Sequence, residues 1–343
     1  MNLPSTPSNM TLFTESPQVT PNPTWIWTVD DLELQHHFMT SDELCPGDPI
    51  LWRVKVPKLA FGNHCVLHLL LAVSALHMAR NKPDEASRYK AIADGHYGVG
   101  LRQVMDILPN LNRENCGALY IATTLVCSYS FASGPSPGHL LIISDGTEVA
   151  WVELLRGVKM VVETMGFEAI FAGALAPMPT EQPPKELPPS EMTERVVLWE
   201  PALQRIADLV AVSNDPDTGI YEKMLTDLTS CFQQTCGTAK EPRHAIDGKM
   251  EIIIGCVYRT EDEFVQCLKD KKPFALLILA HLVVLIKKLE WLWYMTGWAS
   301  HILHGVALIL GPDFSEYLRW PREEIERLNE ERIHKKQSDS SNN

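Results

Sequence analysis

No Cys-x-x-Cys pair occurs among the eight cysteines, which stand at 45, 65, 116, 127, 231, 236, 256 and 267. No Cys/His grouping has zinc-finger spacing either, so a structural zinc site of those patterns is excluded. Gly-x-Gly-x-x-Gly and Gly-Lys-Ser/Thr are missing, which removes the common phosphate-cradling loops. Gly134-Pro135-Ser136-Pro137-Gly138 matches Gly-x-Ser-x-Gly by letter, but two prolines cannot build the strand-turn-helix elbow that a serine nucleophile needs. Positive charge is scarce: 30 basic residues against 43 acidic ones leave −13 at neutral pH. The basic clusters are isolated pairs, Lys271–Lys272, Lys287–Lys288 and Lys335–Lys336, too short for a nucleic-acid footprint, so no direct nucleic-acid contact is expected. A basic start followed by an apolar block is absent, so no secretory leader is expected. Scattered cysteines then read as reduced thiols, and the expected location is nucleus or cytoplasm. The longest apolar run, Phe274 to Ile286, is too short to cross a bilayer and is closed by Lys287, Lys288 and Glu290. It reads as a buried helix, and no membrane span is expected.

What is present is enough apolar material for a large core: 45% hydrophobic residues against 21% charged ones over 343 positions. Strand signals are sparse, with only Glu251 to Val257 competing, and no repeat of 20–50 residues is visible. Helical periods begin at Asp30 and resume near Asn63, where the apolar residues of 63–80 cover nearly the whole circumference and predict a central helix. Further helices are predicted over Asp84–Leu108, Cys116–Phe131 with Asn112 as N-cap, Val149–Ala174, Leu198–Val212 and Tyr221–Cys236. Thr260-Glu261-Asp262-Glu263 reads as a capping box ahead of Phe264. Phe274 to Leu310 predicts one or two long buried helices broken near Gly297.

The fold class is therefore all-α, a single large helical bundle with a proline-rich surface loop. The expected organisation is a disordered tail over 1–29, one helical domain over 30–334 with the loop at 177–190, and a second tail over 335–343.

Twelve histidines raise the question of a metal. His64 and His68 share a helix face, but no carboxylate sits beside them and no His-Glu-x-x-His occurs. Histidines hydrogen-bonded inside the bundle explain them better, and neither metal nor cofactor is expected. Ser144-Asp145-Gly146-Thr147-Glu148 reads as a helix start whose acids complement the macrodipole. Trp291, Trp293 and Trp298 cluster beside Tyr294 and Met295, rings that either fill core or wall a cavity.

One block runs Ala275-Leu276-x-Ile278-Leu279-Ala280-His281, Trp291-x-Trp293, Gly297-Trp298-Ala299-x-His301 and Arg319-Trp320-Pro321. A second holds Leu32-Glu33-Leu34-x-His36-His37-Phe38, Val56-Pro57-x-Leu59-Ala60-Phe61 and Leu71 to His77; a third is Trp151-x-x-Leu154-Leu155-Arg156-Gly157. Together these blocks resemble the C-terminal regulatory domain of fungal zinc-cluster transcription factors, particularly the sterol-uptake-control type. The resemblance implies a helical bundle that pairs with a second copy, or with a related regulator, around an apolar cavity for a sterol-like ligand. It implies Trp151, Leu155, His281, Trp291, Trp298 and Phe61 as ligand-binding residues. In such relatives a six-cysteine zinc cluster precedes the domain, whereas Cys45, the first cysteine here, already lies in the helical region.

Three functions fit these residues. The first is a regulatory module that binds a hydrophobic sterol- or terpenoid-like metabolite without its own zinc cluster. The second is a cavity enzyme of fungal secondary metabolism, a cyclase or pericyclase, with His281, His301 and Tyr129 as its polar groups. The third is an interaction protein that pairs with an intact relative and blocks it. The first is the reading taken forward.

Overall fold

The computed structural model describes residues 26–144, 151–176, 197–243 and 247–341, and among these every regular element is helical. The two sequences that are apolar all round become the hubs. α3 (His64–Asn81) buries every residue from Leu69 to Ala79. α11 (Pro273–Lys287) buries every residue from Ala275 to Lys287. A helix with no polar stripe has no face to give to water, so each must be surrounded. Pro273 opens α11 at its first turn, where its missing N–H costs nothing. No described helix is long and apolar enough to cross a membrane.

Around α3 lie α1 (Val29–Thr40), α2 (Val56–Gly62), α4 (Ala86–Ile107) and α5 (Cys116–Ala132), with α6 (Trp151–Ile170) outside α5. Together they enclose a first buried cluster. α4 approaches α3 closely because Gly100 stands at the crossing: a Cβ there would lie 2.8 Å from Leu69 Cγ and 3.2 Å from the Cys65 carbonyl oxygen. Around α11 lie α7 (Glu200–Ala211), α8 (Thr218–Cys236), α9 (Met250–Tyr258), α10 (Asp262–Lys269), α12 (Trp298–Leu310) and α13 (Arg319–Ser341), enclosing a second cluster. The predicted break falls at Gly297, whose φ of 87° starts α12 after a short turn over Trp293–Met295.

That turn is the seam between the clusters. Trp293 is buried in the first, Leu292 and Met295 in the second, and Tyr294 packs against both. Arg80 at the end of α3 donates to the Trp293 carbonyl at 2.8 Å, and the Phe131 and Tyr294 rings stack at 5.9 Å.

Some local expectations change. Thr260 does not form a capping box: Glu261 is the N-cap of α10 and has no side-chain cap bond. The Thr260 hydroxyl is engaged by the preceding helix, donating to the Cys256 carbonyl at 3.4 Å. Asn112 caps one turn early, its Oδ1 accepting from the N–H groups of Glu114 and Asn115 ahead of Cys116. Glu251 to Val257 is helical, within α9, because Ile253, Cys256 and Val257 at helical spacing give it a face for the second cluster. α13 runs through Ser341, past the boundary expected at 334. All eight cysteines are free thiols, seven of them buried, and burial pushes Cys127 up to about 12. The expected tail ran to 29, yet Thr28 caps α1 and Val29 opens it; residues 1–25, most of Ser144–Glu148, and the proline-rich loop lie outside the described residues.

Candidate functional site

The sequence around Thr28 fixes how α1 begins, and α1 in turn makes one wall of a groove. Thr28 Oγ1 accepts the Asp31 N–H at 3.1 Å, and the Asp31 carboxylate accepts the Thr28 N–H at 3.0 Å. This reciprocal cap satisfies two orphan donors and holds Asp31, only 5% exposed, facing inward. Opposite stand the first turns of α3 and the middle of α4, separated from α1 by a groove of ≈ 980 Å³. Ile26, Ile92, Val99 and Ile107 supply its apolar lining; Asp31, His64, His68 and His96 supply its polar one. Gly95 stands in the wall with nothing within 4 Å of where its Cβ would be. Its volume falls within the range of small-molecule clefts in general.

The polar residues form a chain. His96 Nε2 lies 3.0 Å from the Asp31 carboxylate, and His96 Nδ1 lies 3.0 Å from His68 Nδ1. A carboxylate can only accept, so His96 donates through Nε2. Its Nδ1 is then the acceptor for His68 Nδ1–H. Burial and the neighbouring His96 and His64 push His68 down to about 4. Burial also lowers His96, against the pull of Asp31. Both rings are neutral at pH 7.

A second chain of the same build stands at the other end of α1. His77 Nε2 donates to the Glu43 carboxylate at 2.6 Å, and His77 Nδ1 accepts from His37 Nε2 at 2.8 Å. The His37 and His77 rings stack at 5.0 Å, and His77 also packs 4.8 Å from Trp293 of the seam. Burial lowers both histidines, with Glu43 opposing the effect at His77. Among the described residues no group of three or more His, Cys, Asp or Glu is arranged to hold a metal ion.

The residues singled out by sequence sit elsewhere. His281 is buried against Trp320, the rings stacked at 5.5 Å, and its Nδ1–H donates to the Leu277 backbone carbonyl of its own helix at 2.8 Å. Trp298 is buried and donates to the Phe131 carbonyl at 3.1 Å; His301, in contact with Trp298, donates to the His139 carbonyl at 3.0 Å. Tyr129 stacks on Tyr97 at 3.8 Å and donates to Asp94. Leu155 belongs to the second cluster. Phe61 is 58% exposed, next in sequence to the groove-lining Gly62. Trp291 is 40% exposed and edges a smaller cavity of ≈ 380 Å³ with Gly248 and Glu251. The Trp151 side chain lies outside the described residues. The structure thus joins Trp298 with His301, yet neither of these two cavities holds more than one of the predicted residues.

Sequence reasoning missed Asp31, Glu43 and the pairing of the histidines. Thr28-Val29-Asp30-Asp31 carries the signal for the cap, an Asp three residues after a Thr. Nothing in the spacing tells that His68 meets a histidine 28 positions on.

Residues 36–186 match the family described as the fungal specific transcription factor domain. A Zn(2)-C6 fungal-type transcription factor of Gibberella zeae is 21% identical over 322 residues, covering 85% of this chain and 61% of its own length. The Zn(2)-C6 fungal-type transcription factor afumD of Aspergillus fumigatus is 28% identical over 136 residues, 37% of this chain and 35% of its own. Sterol uptake control protein 2 of Candida albicans is 27% identical over 143 residues, 38% of this chain and 18% of its own. The chain therefore spans about three fifths of the first relative and much less of the other two. With an all-helical fold and this domain matched at residues 36–186, the chain is similar to fungal zinc-cluster transcription factors in the region outside any zinc cluster.

Proposed function

We propose that this chain is a transcription-regulatory module that binds a mostly apolar metabolite with a polar head, of the sterol or terpenoid kind, in the groove between α1, α3 and α4. The single observation that carries the reading is the groove itself: ≈ 980 Å³, with an apolar lining of Ile26, Ile92, Val99 and Ile107 and a polar lining of histidines and Asp31. A relative named for the control of sterol uptake supports the ligand class. Phe61 serves as a rim contact in this reading, whereas Trp298 and Leu155 pack in the second cluster and His281 against Trp320, outside the groove lining. Occupancy is passed on in the nucleus through a second copy or a related regulator. DNA recognition comes from a zinc cluster that these 343 residues do not contain. The turnover reading has no comparable support, because Tyr129, His281 and His301 all lie away from the groove lining, each donating to a protein acceptor.

Titration of the purified chain with dehydroergosterol, followed by energy transfer from tryptophan, tests the proposal. Saturable binding is expected, with Kd raised about tenfold or more in Gly95→Phe, whose ring projects into open groove. Absence of saturable binding, or an unchanged Kd in a folded Gly95→Phe, refutes it.

A further inference from the structure

α1 touches the bundle through an unusual set of groups. Leu34 and Phe38 reach the first cluster, and the Ser74 hydroxyl donates to the Leu34 carbonyl at 2.7 Å. Beyond that, the two ends of the helix are fastened by chains of one composition, carboxylate to imidazole to imidazole: Asp31–His96–His68 near the start and Glu43–His77–His37 near the end. In each, α1 contributes one member and α3 another. Asp31 and His37 come from α1, His68 and His77 from α3, so every chain crosses the same interface.

The proton count of such a chain is limited. With one proton between the facing ring nitrogens, the donor and acceptor are matched. A first added proton is accommodated: the middle ring becomes an imidazolium between its carboxylate and a retautomerised partner. A second added proton places two N–H donors head to head at about 3 Å, with two positive rings in partly buried surroundings. The charges facing the first chain are Asp31 from α1, His64 from α3 and His96 from α4. Those facing the second are Glu33 and His36 from α1, Arg80 from α3, Lys82 beyond it, and Glu43. Arg80 and Lys82 are cationic and oppose further protonation, while Glu33, which favours it, is already paired with Lys82.

We infer that these two chains are proton-operated clasps, and that acidification loosens α1 from α3 and α4 and so opens the groove. The inference concerns how α1 is held and stands whatever the groove binds. Its sign follows from the directions above. All four histidines have folded values below the unfolded 6.5, so the clasps are fully effective above that pH. They weaken as pH falls from 6.5 toward the value of about 4 at His68. Lys82 holds the Glu33 carboxyl below its usual range, so that ion pair outlasts the clasps and α1 loosens without leaving the bundle.

Hydrogen exchange read by mass spectrometry, expressed as protection relative to intrinsic rates at each pH, tests the clasps. Peptides of α1 are expected to lose about tenfold or more protection between pH 7.5 and 5, while α11 keeps its own. In the double variant His37→Gln/His68→Gln, which supplies amide donors but only one titratable ring per chain, α1 is expected to stay protected at pH 5. An α1 whose protection is independent of pH, or falls equally in a folded double variant, overturns the inference. Should that variant lose its helical signal, the wild-type imidazole 13C titrations decide. Second protonation of each pair must coincide with the loosening of α1, and separate midpoints overturn the inference.

Discussion

One helix offers the same substitution with opposite outcomes. Gly95 and Gly100 both lie in α4, and replacing either with alanine removes the entropy that glycine loses in a helix, a gain of about 0.5–1 kcal/mol. At Gly95 the new methyl meets nothing within 4 Å, so the gain stands alone. At Gly100 it lies 2.8 Å from Leu69 Cγ, 3.2 Å from His68 Cβ and 3.2 Å from the Cys65 carbonyl oxygen. None of these is the free end of a side chain, and forcing a methylene into such packing costs about 1–3 kcal/mol. The net expectation is stabilisation by about 0.5–1 kcal/mol for Gly95→Ala and destabilisation by about 1–2 kcal/mol for Gly100→Ala. Urea unfolding followed by circular dichroism measures both, and in thermal scans the variants should lie about 2–4 °C apart, given the large unfolding entropy of a chain this long. If Gly100→Ala is as stable as Gly95→Ala, α3 and α4 do not cross in the close contact described, and the groove wall they form is drawn wrongly.

Two further outcomes follow from buried polar groups. Trp298→Phe removes the donor to the Phe131 carbonyl and leaves part of a ring-sized space; a loss of about 2–3 kcal/mol in urea unfolding is expected, and a loss below about 0.5 kcal/mol would show that bond to be unimportant. Burial holds His281 at about 4 in the folded state against 6.5 unfolded, so its contribution is complete above 6.5 and is lost as pH falls toward 4. By pH 4.5 that loss amounts to about 2.5 kcal/mol. His281→Asn, which keeps a donor for the Leu277 carbonyl, should flatten the fall of the urea midpoint between pH 7 and 4.5; an identical slope in variant and wild type would contradict the assignment.

The fold was legible in the sequence where a property is local. α3 and α11 announce themselves because no polar stripe interrupts either, and the break between α11 and α12 falls at a glycine that takes positive φ. Glu251 to Val257 misled because a run of β-branched and apolar residues has no readable period over seven positions; only the second cluster, lying along Ile253, Cys256 and Val257, decides for helix. The groove was not legible. Spacing puts His64 and His68 on one helix face, but the meeting of His68 with His96 and of His37 with His77 depends on how α1 and α4 settle against α3. Likewise the tryptophans near 291–298 look alike in sequence, whereas Trp293 and Trp298 face different clusters and Trp291 faces water.

Trp293 has a consequence for how the chain is made. Among the described residues, every buried member of the first cluster lies between Leu34 and Leu175 apart from this one side chain, which is translated 118 positions later. On a ribosome adding ~5–20 residues per second, that interval lasts roughly 6–24 s. For that time the N-terminal half can assemble around α3 but must wait with an unfilled apolar slot beside His77, the place Trp293 will take. The slot is closed only when α11, itself wholly apolar, has emerged and found its own surroundings. The half-made protein is therefore at its stickiest late in synthesis, and slowing translation between codons 176 and 293 should raise the share of chains that aggregate or are held by chaperones.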